Sequence, residues 1–139
     1  MNNERVIFFR DVPVYQRDTM VFSGASLEIG PGEFVYLIGK TGSGKSSLLK
    51  AMYAELPVHQ GEAVVAGYRL IGIRKREIPM LRRKLGIIFQ DFQLLSDRNI
   101  NDNLMFVLKA TGWRNKKEMT EQVKEVLLKV GLATKGFKF

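Results

Sequence analysis

The sequence predicts an α/β domain with a β-rich N-terminal entry, and three observations carry that expectation. Residues 6–38 hold several short apolar or alternating runs separated by turn residues. The last of these runs opens directly into a glycine-rich loop. Behind the loop, segments with helical spacing alternate with further short apolar runs. Strands first, then strands alternating with helices, is the order of an α/β domain with a β-rich start.

Val6-Ile7-Phe8-Phe9 reads as a short apolar strand. Ala25 to Ile29 alternates, with Ser26 and Glu28 between apolar residues, as a half-buried strand does. Gly30-Pro31-Gly32-Glu33 is a turn by its content. Phe34-Val35-Tyr36-Leu37-Ile38 is apolar throughout, which suits a strand covered on both faces. Beyond the loop, Leu48, Leu49 and Met52 fall at helical spacing and Pro57 closes the segment. Glu62 to Ala66 follows as a strand ended by Gly67, Ile78 to Leu85 as a short basic helix, and Gly86-Ile87-Ile88-Phe89 as a second buried strand ending at Gln90. Two helices finish the chain. One runs from about Ile100 to Thr111 and stops at Gly112. The other starts after Asn115, with Glu118 three residues on as in a capping box, and carries the stripe Met119, Val123, Val126, Leu127 and Val130.

Composition narrows the function classes. The chain of 139 residues suits one domain, and it has no cysteine, which excludes a disulfide framework and a thiolate metal site. No run approaches the roughly 20 apolar residues of a membrane span, and Met1-Asn2-Asn3-Glu4-Arg5 does not start a secretory signal. These features fit a cytoplasmic protein. The net charge is +8, and residues 69–86 alone carry seven basic side chains against Glu77. That patch is either a solvated helix face or a surface for an anionic membrane, a nucleic acid or an acidic partner. Few aromatics interleave with its charges, which argues against nucleic acid.

Gly39-Lys40-Thr41-Gly42-Ser43-Gly44-Lys45-Ser46 matches G-x-x-x-x-G-K-[ST] at every specified position, between an apolar run and a helical segment. Glycines at 39, 42 and 44 let the backbone approach a ligand and turn its N–H groups inward as an anion nest. The helix that starts near Lys45 adds its positive dipole end. Lys45 supplies a cation for the β- and γ-phosphates, and Ser46 a hydroxyl for Mg²⁺, which takes oxygen ligands. The loop therefore predicts binding of ATP with Mg²⁺ through Gly39, Lys40, Thr41, Gly42, Ser43, Gly44, Lys45, Ser46 and Ser47.

Many chemistries use such a loop, and the rest of the chain discriminates among them. Tyr15, Gly24-Ala25-Ser26-Leu27-Glu28-Ile29, the phosphate loop and Leu85-Gly86-Ile87-Ile88-Phe89-Gln90-Asp91 together resemble the ATPase domain of ABC transporters, across essentially the whole chain. The resemblance implies an α/β fold: a P-loop NTPase core of the ABC type with an N-terminal antiparallel β subdomain. It implies that Tyr15, otherwise a half-buried strand tyrosine, stacks on adenine. It also implies that Gln90 is the Q-loop glutamine, a ligand of Mg²⁺ and, with Lys45, part of the catalytic set.

Within that family, Phe89-Gln90-Asp91-Phe92-Gln93-Leu94-Leu95-Ser96-Asp97-Arg98 followed by Asn101-Asp102-Asn103-Leu104 resembles the bacterial cell-division group FtsE. Asn101 departs from the aromatic expected there. The alternatives are a lipoprotein-release or macrolide-export ATPase, or a phosphate-loop small-molecule kinase. Membership of the cell-division group implies an FtsX-like membrane subunit received at about Phe92–Asn103, a homodimer of the full-length protein, and a cytoplasmic location, peripheral on the inner face of the cell membrane. The stretch Phe92, Leu94, Leu95 either serves that partner or packs inward.

The family's Ser-Gly-Gly signature, its Asp-Glu pair after an apolar strand and its switch histidine are not found; His59 sits in a turn before Gln60-Gly61. The expectation is a partial nucleotide-binding domain over 1–139, truncated before the signature and Walker B motifs, and not hydrolytically competent alone. Its β subdomain and Walker A core span about 1–91, and the Q-loop with the start of the helical subdomain about 90–139.

Overall fold

The computed structural model describes residues 5–91, 93–136 and 138. They form two units, one reaching to Gly86 and the other starting at Ile87.

The first unit is built on a four-stranded antiparallel sheet. Strand β1 (Ile7–Gln16) pairs with β2 (Thr19–Ile29) on one side and β3 (Glu62–Val65) on the other, and β3 pairs with β4 (Tyr68–Arg69), in the order β2-β1-β3-β4. Both long strands extend well past the apolar runs that announce them. The β1–β2 register shifts three times between Phe9 and Tyr15, and Asp11 takes φ 50°. These bulges break the two-residue alternation, so Val12, Pro13 and Val14 are buried in succession. Ser26 ties the bulge down: its hydroxyl accepts the Asp11 N–H at 2.9 Å.

Helix α1 (Lys45–Met52) lays Leu48 and Ala51 into a core with Phe9, Val12, Val14, Val65 and Leu70. The short helix α2 (Ile78–Arg82), with Pro79 in its first turn, adds Leu81, which is fully buried. Arg82 reaches back from α2 and donates to Tyr53 O at 2.9 Å and Ala54 O at 3.2 Å, two carbonyls at the C-terminal end of α1.

Two expected strands do not form. Residues 34–38 join no ladder, and their side chains are exposed, Phe34 at 82% and Ile38 at 87%. Residues 86–89 likewise join none, with Ile88 at 95%. An apolar run becomes a strand only when a neighbouring backbone accepts its hydrogen bonds and other elements cover its faces. Among the described residues no strand is laddered to either run.

In the second unit, α3 (Ile100–Ala110) and α4 (Lys116–Lys129) pack together. Met119, Val123 and Leu127 are the buried residues of α4, at the expected four-residue spacing, while Val130 is exposed. Asn99 caps α3 by accepting the Asp102 N–H, and Asn115 caps α4 by accepting the Lys117 and Glu118 N–H groups. Glu118 answers the Asn115 side-chain amide rather than its backbone, at 2.9 Å.

Candidate functional site

The loop 39–44 joins the exposed run 34–38 to α1, and its shape follows from its glycines. Gly44 is the N-cap residue of α1 with φ 89°, and a Cβ there would sit 2.2 Å from Val21 Cγ1 and 2.8 Å from Phe22 Cε2. The chain therefore presses its backbone against β2 at the point where it turns into the helix, which only glycine allows. Gly42 takes φ 80° in open space. Ser43 N–H closes the loop on Lys40 O at 3.1 Å.

Lys45 folds back over this loop. Its Nζ donates to Gly39 O at 2.7 Å, to Lys40 O at 2.8 Å and to Ser43 Oγ at 3.5 Å. All three acceptors are neutral, and among the described residues Lys45 forms no salt bridge. Its charge is held at the loop without a counter-ion.

Helix α1 also lacks what α3 and α4 have. No side chain caps its first turn and no acidic residue stands in it. Its leading N–H groups and dipole are thus uncompensated beside an unpaired lysine, which is the electrostatic description of an anion site.

The two serines after Lys45 divide in role. Ser47 is 6% exposed and its hydroxyl donates to Gln16 Oε1 at 3.4 Å, tying α1 to the β1–β2 hairpin. Ser46 is exposed, and its hydroxyl has no hydrogen-bond partner among the described residues. No group of three or more His, Cys, Asp or Glu able to hold a metal occurs among the described residues. Magnesium carried in with a triphosphate would find the free Ser46 hydroxyl as an oxygen ligand beside phosphate oxygens and water, which suits this small, reluctantly dehydrated ion. The residues present fit a magnesium-bound triphosphate.

Tyr15 is half-buried near the tip of the β1–β2 hairpin, opposite the exposed Met20, and next to Gln16, which touches α1. The structure thus places Tyr15 and residues 39–47 in the first unit. Gln90 is exposed and belongs to the second unit. Phe92 lies outside the described residues. Leu94 is 71% exposed and Leu95 half-buried, so the first points outward and the second does not.

Sequence reasoning missed Gln16, Val21 and Phe22 as supports of the loop, and no periodicity marks them. It also gave no structural part to Asn103, whose amide organises residues 95–99. The signal was present there, since an asparagine in the first turn of a helix is placed to bond the loop before it.

The sequence profile of the family described as "ABC transporter" matches residues 22–137. The chain belongs to the ABC transporter family. The cell division ATP-binding protein FtsE of Streptococcus pneumoniae (strain D39) is 37% identical over 135 residues, 96% of this chain and 58% of that protein. FtsE of Bacillus subtilis is 37% identical over 90% of this chain and 54% of its own length. The methionine import ATP-binding protein MetN of Helicobacter hepaticus is 34% identical over 90% of this chain and 35% of its own. A solved dimeric structure of the ATP-binding cassette MJ0796, in a post-hydrolysis state with ADP and Pi, superposes with a TM-score of 0.78 at 22% identity, covering 95% of this chain and 60% of that one. The fold is thus that of an ABC ATPase. The chain spans 54–58% of the length of these two FtsE relatives.

Proposed function

We propose that this chain is the nucleotide-gripping part of an FtsE-like ABC ATPase subunit. It binds ATP with Mg²⁺ and works beside an FtsX-like membrane subunit in cell division. The observation that carries the nucleotide reading is the conjunction at the loop: an uncapped α1 N-terminus, left-handed glycines, and a lysine whose charge meets only neutral acceptors. A triphosphate supplies the missing negative charge. In this reading Lys45 holds the β- and γ-phosphates, the N–H groups of residues 39–47 cradle them, Ser46 and Gln90 complete Mg²⁺, and Tyr15 stacks on adenine.

The cell-division assignment rests on the FtsE relatives, with Leu94, Leu95 and the following loop to Asn103 as the surface offered to the membrane subunit. The MetN likeness supports a second reading, the ATPase of a small-molecule importer. The homodimer and the peripheral place on the inner membrane face belong to the same proposal, as does the division into a core of about 1–91 and a helical part of about 90–139.

The deciding experiment is calorimetric titration of ATP with Mg²⁺ into the wild-type chain and Lys45→Ala. The lysine substitution should weaken binding by about a hundredfold, because a charge-assisted contact is lost and phosphate charge is left unpaired. Equal affinities would remove the phosphate-loop reading.

A further inference from the structure

Strand β4 leads into a stretch that the phosphate loop does not use. The hairpin turn before β4 has Ala66 at φ 47° and Gly67 at φ 84°. After β4, Leu70 is buried at 2% and its N–H bonds Ala63 O at 2.9 Å, and Ile73 N–H returns to Leu70 O at 3.2 Å around Gly72. Arg74 then meets Glu77. Its N–H and Nε donate to Glu77 Oε2 at 2.9 and 3.0 Å, and a terminal nitrogen donates to Oε1 at 3.2 Å. Between these pieces lies an open surface cleft of about 500 Å³, lined by Gly67, Tyr68, Arg69, Arg74 and Glu77 among others. That volume is within the range of about 300–1,000 Å³ typical of small-molecule sites.

Charge decides what the cleft takes. Arg69 is fixed on β4 opposite Val64, and Lys75 and Arg76 follow Arg74 in the chain. None of Arg69, Lys75 and Arg76 forms a salt bridge among the described residues. Glu77 is the only carboxylate in the lining, and Arg74 occupies both of its oxygens. The guanidinium is a fork that binds phosphate through paired N–H donors. Two such forks offer more donors than one carboxylate can accept, and a phosphate ester supplies further acceptors, three free oxygens in a monoester and two in the diester of a lipid headgroup. Tyr68 is the one aromatic in the lining and is half-buried in β4, so the cleft lacks an open stacking face for bases.

We propose that this cleft is a second anion site, separate from the phosphate loop, that takes the phosphate ester of a soluble small molecule or of a lipid headgroup. Arg69 holds the ester directly. Arg74 joins it by exchanging Glu77 for the ligand, so Glu77 is a built-in competitor that sets the affinity.

The test uses the full chain carrying Lys45→Ala, which silences the phosphate loop. The probes are glycerol 3-phosphate and phosphatidylcholine vesicles with and without phosphatidylglycerol. Binding to at least one phosphate-ester probe is expected. Arg69→Gln should weaken it about fivefold, the worth of one cation at an anionic surface. Glu77→Gln should tighten it about two- to fivefold, the worth of an exposed ion pair that no longer competes, and for soluble glycerol 3-phosphate a misfolded variant would lose binding rather than gain it. Glycerol 3-phosphate binding alone assigns a soluble ligand, and phosphatidylglycerol-dependent vesicle binding alone assigns a lipid headgroup. The proposal is overturned if neither probe binds, if both substitutions leave binding unchanged, or if polyuridine RNA binds more tightly than either probe with the same dependence on Arg69.

Discussion

Asn103 grips Leu95 on both sides of its backbone: its Oδ1 accepts the Leu95 N–H at 2.9 Å and its Nδ2 donates to Leu95 O at 3.0 Å. The same Nδ2 also reaches Arg98 O at 3.1 Å and Asn99 O at 3.0 Å. One amide thus fastens the loop 95–99 to the first turn of α3. Asn103→Ala takes this partner from the Leu95 N–H and from Arg98 O, while Leu95 O keeps the Arg98 N–H and Asn99 O keeps the Asn103 N–H, and should cost about 1–2 kcal/mol. Asn103→Asp, of the same shape, keeps the contact with Leu95 N–H but sets a carboxylate against three carbonyl oxygens, and should be no milder. Urea unfolding with hydrogen exchange at the Leu95 amide reads both. A loss below about 0.5 kcal/mol, the size of an ordinary surface change, would count against the clamp.

Two glycines of the phosphate loop should answer differently to the same substitution. Gly44→Ala meets both a left-handed φ and Val21 Cγ1 at 2.2 Å. Backbone strain and overpacking together should cost about 2–5 kcal/mol. Gly42→Ala meets only the φ, with nothing within 4 Å, and should cost about 1–2 kcal/mol. Chemical denaturation of the two variants tests the difference. Equal costs would mean that α1 does not press on β2 in solution.

Leu94 and Leu95 should separate partner binding from folding. Leu94 is 71% exposed, so Leu94→Asp should leave stability within about 0.5 kcal/mol of wild type. If the proposed partner surface is right, it should also abolish co-purification with an FtsX-type membrane subunit at unchanged ATP affinity. Leu95 is half-buried, and Leu95→Asp should destabilise the chain as well. Retained co-purification by Leu94→Asp would move the partner surface elsewhere.

The end of α1 predicts an alkaline transition. Burial, together with a hydrogen bond from its hydroxyl to Glu55 at 2.8 Å, raises Tyr53 to about 12. The folded state therefore holds the phenol proton more tightly than the unfolded chain, whose tyrosine titrates near 10. The stability this provides is complete below pH 10 and is lost as pH rises from 10 through about 12. Tyr53→Phe should flatten that part of the stability curve. Glu55, held below its usual range first by Lys50 and then by Tyr53, contributes in the opposite direction, with stability lost as pH falls through the acid range. An unchanged alkaline midpoint in Tyr53→Phe would exclude Tyr53 as its source.

What the sequence made legible was local. The phosphate loop, the Met119, Val123 and Leu127 part of the α4 stripe and the cap at Asn115 are written within a few neighbouring residues, and the structure has a glycine turn, a buried face and a capped helix there, whereas Val130 falls outside the stripe and the Asn99 cap was not read. Strand extents were not legible, because the bulge at Asp11 turns alternation into the consecutive burial of Val12, Pro13 and Val14. The run 34–38 was legible as apolar but not as exposed, because the ladder that would bury it depends on residues distant in sequence. For Asn103 the local signal was present, an asparagine in the first turn of a helix, but its partner Leu95 was not legible, because that depends on the path of the loop.

Helix α1 is seated at both ends, by Gly44 against β2 at the front and by Arg82 on the Tyr53 and Ala54 carbonyls at the back. It behaves as an axle between two bearings. With both bearings fixed, the orientation of Lys45, Ser46 and Ser47 is set by the number of residues between them, and the pliancy of the loop has little say. Inserting a single alanine in the middle of α1 would turn one end against the other by about 100°. Either the lysine leaves the mouth of the loop or Arg82 loses its carbonyls. A protein that tolerates many side-chain changes on this helix should therefore tolerate no change in its length.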